Sequence, residues 1–160
     1  MLSEFKSEIY DLNIFAGLPR PSNYDLKIGG CSLYFMRTYS DERGSLCVGE
    51  YPNEVPFQSK RFFLVYGVPS FKKRGEHAHK ICKQFMVCVR GSCKVLVDDG
   101  KRKCRILLDS PDTGLFVPEM NWGCQYEYSK DAILLVFASD LYDTKDYISK
   151  YTEFKKLKAS

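Results

Sequence analysis

From Cys31 onward the chain alternates short apolar runs with turn residues. The runs predict strands at Ser32–Arg37, Leu46–Glu50, Arg61–Gly67, His77–His79, Gln84–Val89, Cys93–Asp98, Cys104–Leu108, Gly114–Val117, Trp122–Tyr128 and Ile133–Ala138. Turn signals divide them at Glu42-Arg43-Gly44, Arg90-Gly91-Ser92, Asp98-Asp99-Gly100, Ser110-Pro111-Asp112 and Ser129-Lys130-Asp131. Asp99-Gly100 between apolar runs is a strong hairpin signal. Many short strands at such spacing predict an all-β sandwich or barrel. Residues 1–30 are less regular and read as an N-terminal extension to a domain at 31–160. Gly17-Leu18-Pro19-Arg20-Pro21 forms a loop there and Gly29-Gly30 a turn. Only the end of the chain looks helical. Asp143 or Thr144 can cap it, and Tyr147, Ile148, Tyr151, Phe154 and Leu157 form a stripe that packs on the sheet.

Composition adds little beyond a globular class. The net charge of +4 is spread over the chain apart from Lys72-Lys73-Arg74, Lys101-Arg102-Lys103 and Lys155-Lys156, too diffusely to predict nucleic-acid binding. The longest apolar run, Ala132 to Ala138, suits a buried strand and falls far short of the ~20 residues of a membrane span. The seven cysteines form no CxxC pair, and several lie inside apolar runs. No apolar secretory segment opens the chain, so free buried thiols in a reducing cytoplasm are expected.

The chemistry concentrates at one place. The chain's two histidines, His77 and His79, stand two residues apart. On a strand they share a face, and both titrate near neutral pH. Four residues separate His79 from Gln84, and six separate Gln84 from Gly91. This is the spacing of the first cupin motif, HxH(x)4E(x)6G, with Gln replacing Glu. It implies a double-stranded β-helix jelly roll, with both histidines and Gln84 pointing into the barrel. The second-motif region, Gly114 to Trp122, keeps its Gly and Pro but offers no histidine. An amide is a poorer ligand than a carboxylate for a hard cation. Cys124 or Glu119 could substitute as ligands, but no metal and no cofactor is expected. Proton transfer by the imidazoles is the stronger reading.

Longer stretches carry a closer resemblance: Arg74-Gly75-x-His77-Ala78-His79-Lys80, Gln84-Phe85-x-x-Cys88-Val89-x-Gly91-Ser92 and Val97-Asp98-Asp99-Gly100. Asp41 to Leu46 upstream belongs with them, as do Leu134 to Ser139, Tyr142-Asp143 and Asp146-Tyr147-Ile148 downstream. Over about residues 32–155 the chain resembles the dTDP-4-keto-6-deoxyglucose 3,4-ketoisomerases, metal-independent cupins of bacterial deoxyamino-sugar biosynthesis. The resemblance implies a dTDP-linked 4-keto-6-deoxyhexose as substrate and an enediol route to the 3-keto sugar. His77 and His79 would carry the protons. Arg43, Arg61 and Arg74 would hold diphosphate or enolate charge. Gln84 would donate to sugar oxygens or fix a histidine tautomer, and Trp122 and Tyr126 would either line the pocket or pack in the core. The resemblance further implies a homodimer that exchanges N-terminal strands, with Arg43 reaching the partner's site.

The chain departs from the family pattern at two places. Phe62-Phe63 stands where the family carries a tyrosine hydroxyl, which leaves Tyr66 or water as donor. Gly123 stands where a polar or basic residue is common and bears on stereochemistry at C4. Glu76 replaces a common aromatic, and alternation turns it away from the histidines. One rival function is a catalytically altered sugar-nucleotide-binding module that acts with a sugar transferase. A second is a sugar epimerase, which would call for a His–Asp pair that the sequence does not clearly supply.

Overall fold

The computed structural model describes the backbone of residues 8–10 and residues 15–160 in full. Among them, one six-stranded sheet runs β1 (Glu8–Tyr10), β10 (Lys103–Leu108), β9 (Cys93–Asp98), β12 (Trp122–Tyr126), β7 (Arg74–His79) and β14 (Tyr147–Ile148). The facing sheet runs β2 (Ser22–Asp25), β3 (Ser32–Phe35), β11 (Thr113–Val117), β8 (Gln84–Arg90), β13 (Ile133–Ala138) and β6 (Arg61–Tyr66). A separate hairpin pairs β4 (Arg37–Asp41) with β5 (Gly44–Val48), and helix α1 (Tyr151–Ala159) closes the chain. Apart from the parallel β1–β10 pair, the ladders are antiparallel. This is the expected all-β cupin jelly roll with a short C-terminal helix.

Alternation builds the core. Leu33, Met86, Val95, Val97, Leu115, Leu134 and Val136 meet between the sheets in one buried cluster. Every residue from Gln84 to Cys88 is buried, because β8 is covered on both faces. Phe85 and Val87 point away from the barrel and are covered by Met36, Val55 and Phe57. At the end of β8, Gly91 turns with φ +64°, and a Cβ there would stand 2.2 Å from Ser129 Oγ. The turn assigned to Gly91 by the motif therefore needs glycine for both conformation and space.

Four regions differ from the sequence expectation. The run Ser32–Arg37 breaks at Met36, and a new strand, β4, forms the hairpin with β5 across Glu42-Arg43. In the expected extension, Ser22–Asp25 adds a strand beside β3, and Phe15, Leu26 and Ile28 enter the main core. Residues 1–7 and 11–14 of that extension lie outside the described residues. The C-terminal stripe is only partly helical. Asp143 caps a single 3-10 turn at Thr144–Asp146, accepting from the Lys145 N–H at 2.9 Å. Tyr147 and Ile148 then extend as β14 against His79 and Ala78. A two-residue strand carries no periodicity signal, so strand pairing overrides the helical spacing. Finally, β7 starts at Arg74, three residues before the predicted His77.

Candidate active site

Strand β7 aims both histidines inward through an irregularity in its backbone. Gly75 and Glu76 take positive φ, +83° and +54°, and the register against β12 shifts between Gly123 and Cys124. A Cβ at Gly75 would crowd the Gln125 side chain at 2.9 Å and the Gly123 carbonyl at 3.0 Å. Glu76 is exposed, as alternation predicts, but it occupies a conformation that non-glycine residues seldom adopt. The kink presents the Gly75 carbonyl to His77, whose Nδ1 lies 3.0 Å away. A carbonyl only accepts, so His77 Nδ1 carries the proton and leaves Nε2 bare.

His79 is fixed by the same logic. Its Nδ1 lies 2.7 Å from Asp146 Oδ2, and the Asp146 carboxylate also accepts from the Ile81 N–H at 2.7 Å and the Cys82 N–H at 3.3 Å. Gln84 Nε2 approaches His79 Nε2 at 3.2 Å, so the amide donates to the bare nitrogen. The two imidazoles meet edge to face, Nε2 to Nε2 at 3.2 Å. With both Nδ1 atoms protonated, this contact has room for one more proton shared between the rings. Burial pushes His79 below its ordinary pKa, against the pull of Asp146, and the closeness of the second imidazole works in the same direction as burial. Burial works to raise the Asp146 carboxyl, but the hydrogen bonds from His79, Ile81 and Cys82 outweigh it and hold the carboxyl low. The result is a relay from carboxylate to buried imidazole to the imidazole nearer the opening. It also supplies the His–Asp pair that the sequence reading did not find.

Tyr147 completes the constellation. Its ring lies 4.8 Å from that of His77 and 4.5 Å from that of His79, centroid to centroid. Asp146 and Tyr147 reach the site because β14 docks opposite His79. Sequence spacing placed Tyr147 in a packing stripe and gave Asp146 no role. The signal available for them was their place in the family-like segment Asp146-Tyr147-Ile148.

An inner cavity of about 140 Å³ opens over His77, lined also by Phe63, Arg74, Gln84, Gln125 and Tyr147. A narrower space of about 10 Å³ lies behind it against His79, Cys82, Asn121 and Gly123. Of the predicted residues, His77, His79, Gln84 and Arg74 are therefore brought together. Arg61 stands close by: its guanidinium lies over the Phe63 and Tyr142 rings, 5.5 Å from each centroid, and its positive charge is felt at His79. Its Nε is buried with no hydrogen-bond partner among the described residues. A Cβ at Gly123 would meet nothing closer than Gln125 Nε2 at 3.8 Å, so the missing side chain leaves open space there.

Three predicted residues lie elsewhere. Trp122 packs with Tyr151 and Phe154 on the opposite face of β12, in a buried cluster with Ala78 and Ile148. Tyr126, four residues on and on that same face, lines an outer groove with Lys73, Lys94, Arg105 and Cys124. Arg43 is at the tip of the β4–β5 hairpin, 84% exposed and ion-paired with Asp41, away from both cavities. Tyr66, the candidate hydroxyl, projects outward from β6 and is 70% exposed. Of the proposed substitute ligands, Cys124 faces the outer groove. His79, Cys82 and Asp146 do hold donor atoms within 4.8 Å of one another, a nitrogen, sulfur and oxygen set of the kind zinc accepts. They lie on the Nδ1 side of His79, away from the His77 contact. No helix among the described residues is long and apolar enough to cross a membrane.

Comparison with known proteins bears on this geometry. The family model described as FdtA: WxcM-like, C-terminal matches residues 29–159. A TDP-4-oxo-6-deoxy-alpha-D-glucose-3,4-oxoisomerase of Aneurinibacillus thermoaerophilus is 43% identical over 116 residues, which cover 72% of this chain and 84% of the relative. Among solved structures, the WlaRB TDP-quinovose 3,4-ketoisomerase of Campylobacter jejuni superposes with a TM-score of 0.77 at 39% identity, over 81% of this chain and 99% of that one. A 3,4-ketoisomerase of Helicobacter canadensis gives a TM-score of 0.78 at 35% identity, over 81% and 98%.

Proposed function

The chain belongs to the family described as FdtA, WxcM-like C-terminal, and on that premise we propose that it is a TDP-sugar 3,4-ketoisomerase in which His77 takes the C3 proton. The substrate is dTDP-4-keto-6-deoxyglucose and the product a dTDP-3-keto-6-deoxyhexose. One observation carries the assignment of the base. His77 Nδ1 is committed to the Gly75 carbonyl, so its bare Nε2 is the basic atom at the cavity, backed by His79 and Asp146. The ketone at C4 acidifies the hydrogen on C3. As His77 Nε2 takes that proton, the new N–H faces His79 Nε2 3.2 Å away, whose one lone pair it shares with the Gln84 amide. The Asp146 carboxylate then stabilises charge that spreads to the buried ring. After exchange with solvent, the imidazole pair returns a proton at C4 and is ready for another cycle.

Arg74 at the cavity and Arg61 beside it supply positive charge for the enediolate or the diphosphate. Arg43 joins the site only in an assembly, and we propose a homodimer that places it at the partner's cavity by exchange of N-terminal strands. Two exposed features support this reading. The β4–β5 hairpin stands apart from both six-stranded sheets, with Tyr39 and Leu46 exposed. Edge strand β6 presents Phe62, Leu64 and Tyr66 as an exposed apolar row. Light scattering on the purified chain should give twice the chain mass, and a monomer at micromolar concentration would remove Arg43 from the site.

Proton NMR of dTDP-4-keto-6-deoxyglucose in D2O with the protein tests the function. The expected outcome is a 3-keto product with deuterium at C4. Exchange at C3 and C5 with no movement of the ketone would identify an epimerase. Nucleotide binding with neither exchange nor turnover would identify a binding module.

A further inference from the structure

Moving a ketone from C4 to C3 relocates two protons. C3 loses one and C4 gains one, while the C3 hydroxyl oxygen loses one and the C4 oxygen gains one. The His77–His79–Asp146 relay accounts for the first. The second needs a group that can both give and take a proton at oxygen. The polar lining of the inner cavity is Arg74, Gly75, His77, Gln84, Gln125 and Tyr147. Amides do not exchange protons on this timescale, and arginine does not give up its proton. His77 is occupied with carbon, and Gln84 is engaged with His79. Tyr147 is the one hydroxyl among these side chains, and it makes no hydrogen bond to a described residue.

Resting on the ketoisomerase reading above, we propose that Tyr147 is a catalytic residue, the oxygen-side proton shuttle of this enzyme. When His77 removes the C3 proton, the C–H electrons form the C3=C4 bond and negative charge collects on the C4 oxygen. The Tyr147 hydroxyl protonates that oxygen, and its phenolate takes the proton from the C3 hydroxyl. The charge is then on the C3 oxygen, whose electrons form the new carbonyl while His77 returns a proton to C4. Both side chains end as they began, and no electrons leave the substrate. The placement answers the local sequence. Phe63 lines the same cavity without a hydroxyl, and Tyr66 points outward. Tyr147 is held where β14 pairs with β7, its ring against both imidazoles.

Tyr147→Phe keeps the ring and removes the oxygen, so it separates shuttling from packing. Two rates would be followed by proton NMR in D2O: solvent exchange at C3 and formation of the 3-keto sugar. In the variant, ketone migration should fall by roughly 10²-fold or more while C3 exchange stays within about threefold of wild type. Migration within about threefold of wild type would overturn the assignment. Parallel loss of exchange and migration would also overturn it, showing that the residue only holds the histidines. If the wild-type protein catalyses neither process, the ketoisomerase reading itself fails, a result distinct from either of these.

Discussion

The two faces of strand β12 divide chemistry from volume. Gly123 and Gln125 look inward to the histidines, whereas Cys124 and Tyr126 look outward to a groove on the other side of the same sheet. The outer groove is the larger, about 420 Å³ against about 140 Å³ for the inner cavity. It carries three cations, with Lys94 paired to Glu127. Yet its side chains make no relay, and no pair of its titratable groups is held at a fixed tautomer. On the inner face each imidazole nitrogen has an assigned partner, and one carboxylate is held by three donors. Preorganised hydrogen bonding, not the size of a concavity, marks the reactive face.

Substitutions on the two faces should therefore differ in kind. The largest effect is expected at His77→Asn, which should lower isomerisation by roughly 10³-fold or more while nucleotide affinity, measured by calorimetry, changes little. Trp122→Ala acts on the outer face and should cost about 3–5 kcal/mol of stability by chemical denaturation. At a temperature where it stays folded, its kcat should remain within about threefold of wild type. A large loss of kcat there would break the division between faces. Asp146→Asn should lower kcat by roughly 10²-fold, because the buried imidazole loses the charge that supports its protonation.

Acid should weaken the inner face specifically. His79 and Asp146 both have folded pKa values below their unfolded ones. The unfolded chain thus binds protons first, and stability falls as pH drops. The His79 contribution is complete above about pH 6.5 and is lost on descending through its folded value, and that of Asp146 follows below about pH 3.9. Urea midpoints should fall between about pH 7.5 and about pH 5.5, and fall less in His79→Gln. The smallest effect is expected at Tyr126→Ala, which should change kcat/KM by less than about twofold. A loss comparable with that of Asp146→Asn would show that the outer groove takes part in the reaction.

Periodicity and one motif made the inner face partly legible. His77, His79 and Gln84 converge as their spacing implies, since alternation and the Gly91 turn act over few residues. Trp122 and Tyr126 stay open between lining the pocket and packing in the core on aromatic character alone. Parity alone puts them opposite Gly123 and Gln125, and β12 follows parity. Asp146 was not legible because its partner is 67 residues away, brought close by a strand too short to leave a pattern. Glu76 shows the opposite limit. Its orientation was read correctly, but its left-handed backbone arises from the bulge against β12 and leaves no trace in a single sequence.

Asp146 and Tyr147 are neighbours in the chain, and the segment that delivers them pairs over two residues, with Asp146 held by the Ile81 and Cys82 N–H groups and Ile148 buried beneath. The carboxylate and the phenol therefore arrive and depart together. Detachment of that clasp would leave both imidazoles in an intact barrel with nothing behind or above them. Catalytic output thus reports the docking of one short segment and not the melting of the fold. On heating, activity should fade before the barrel loses its circular-dichroism signal.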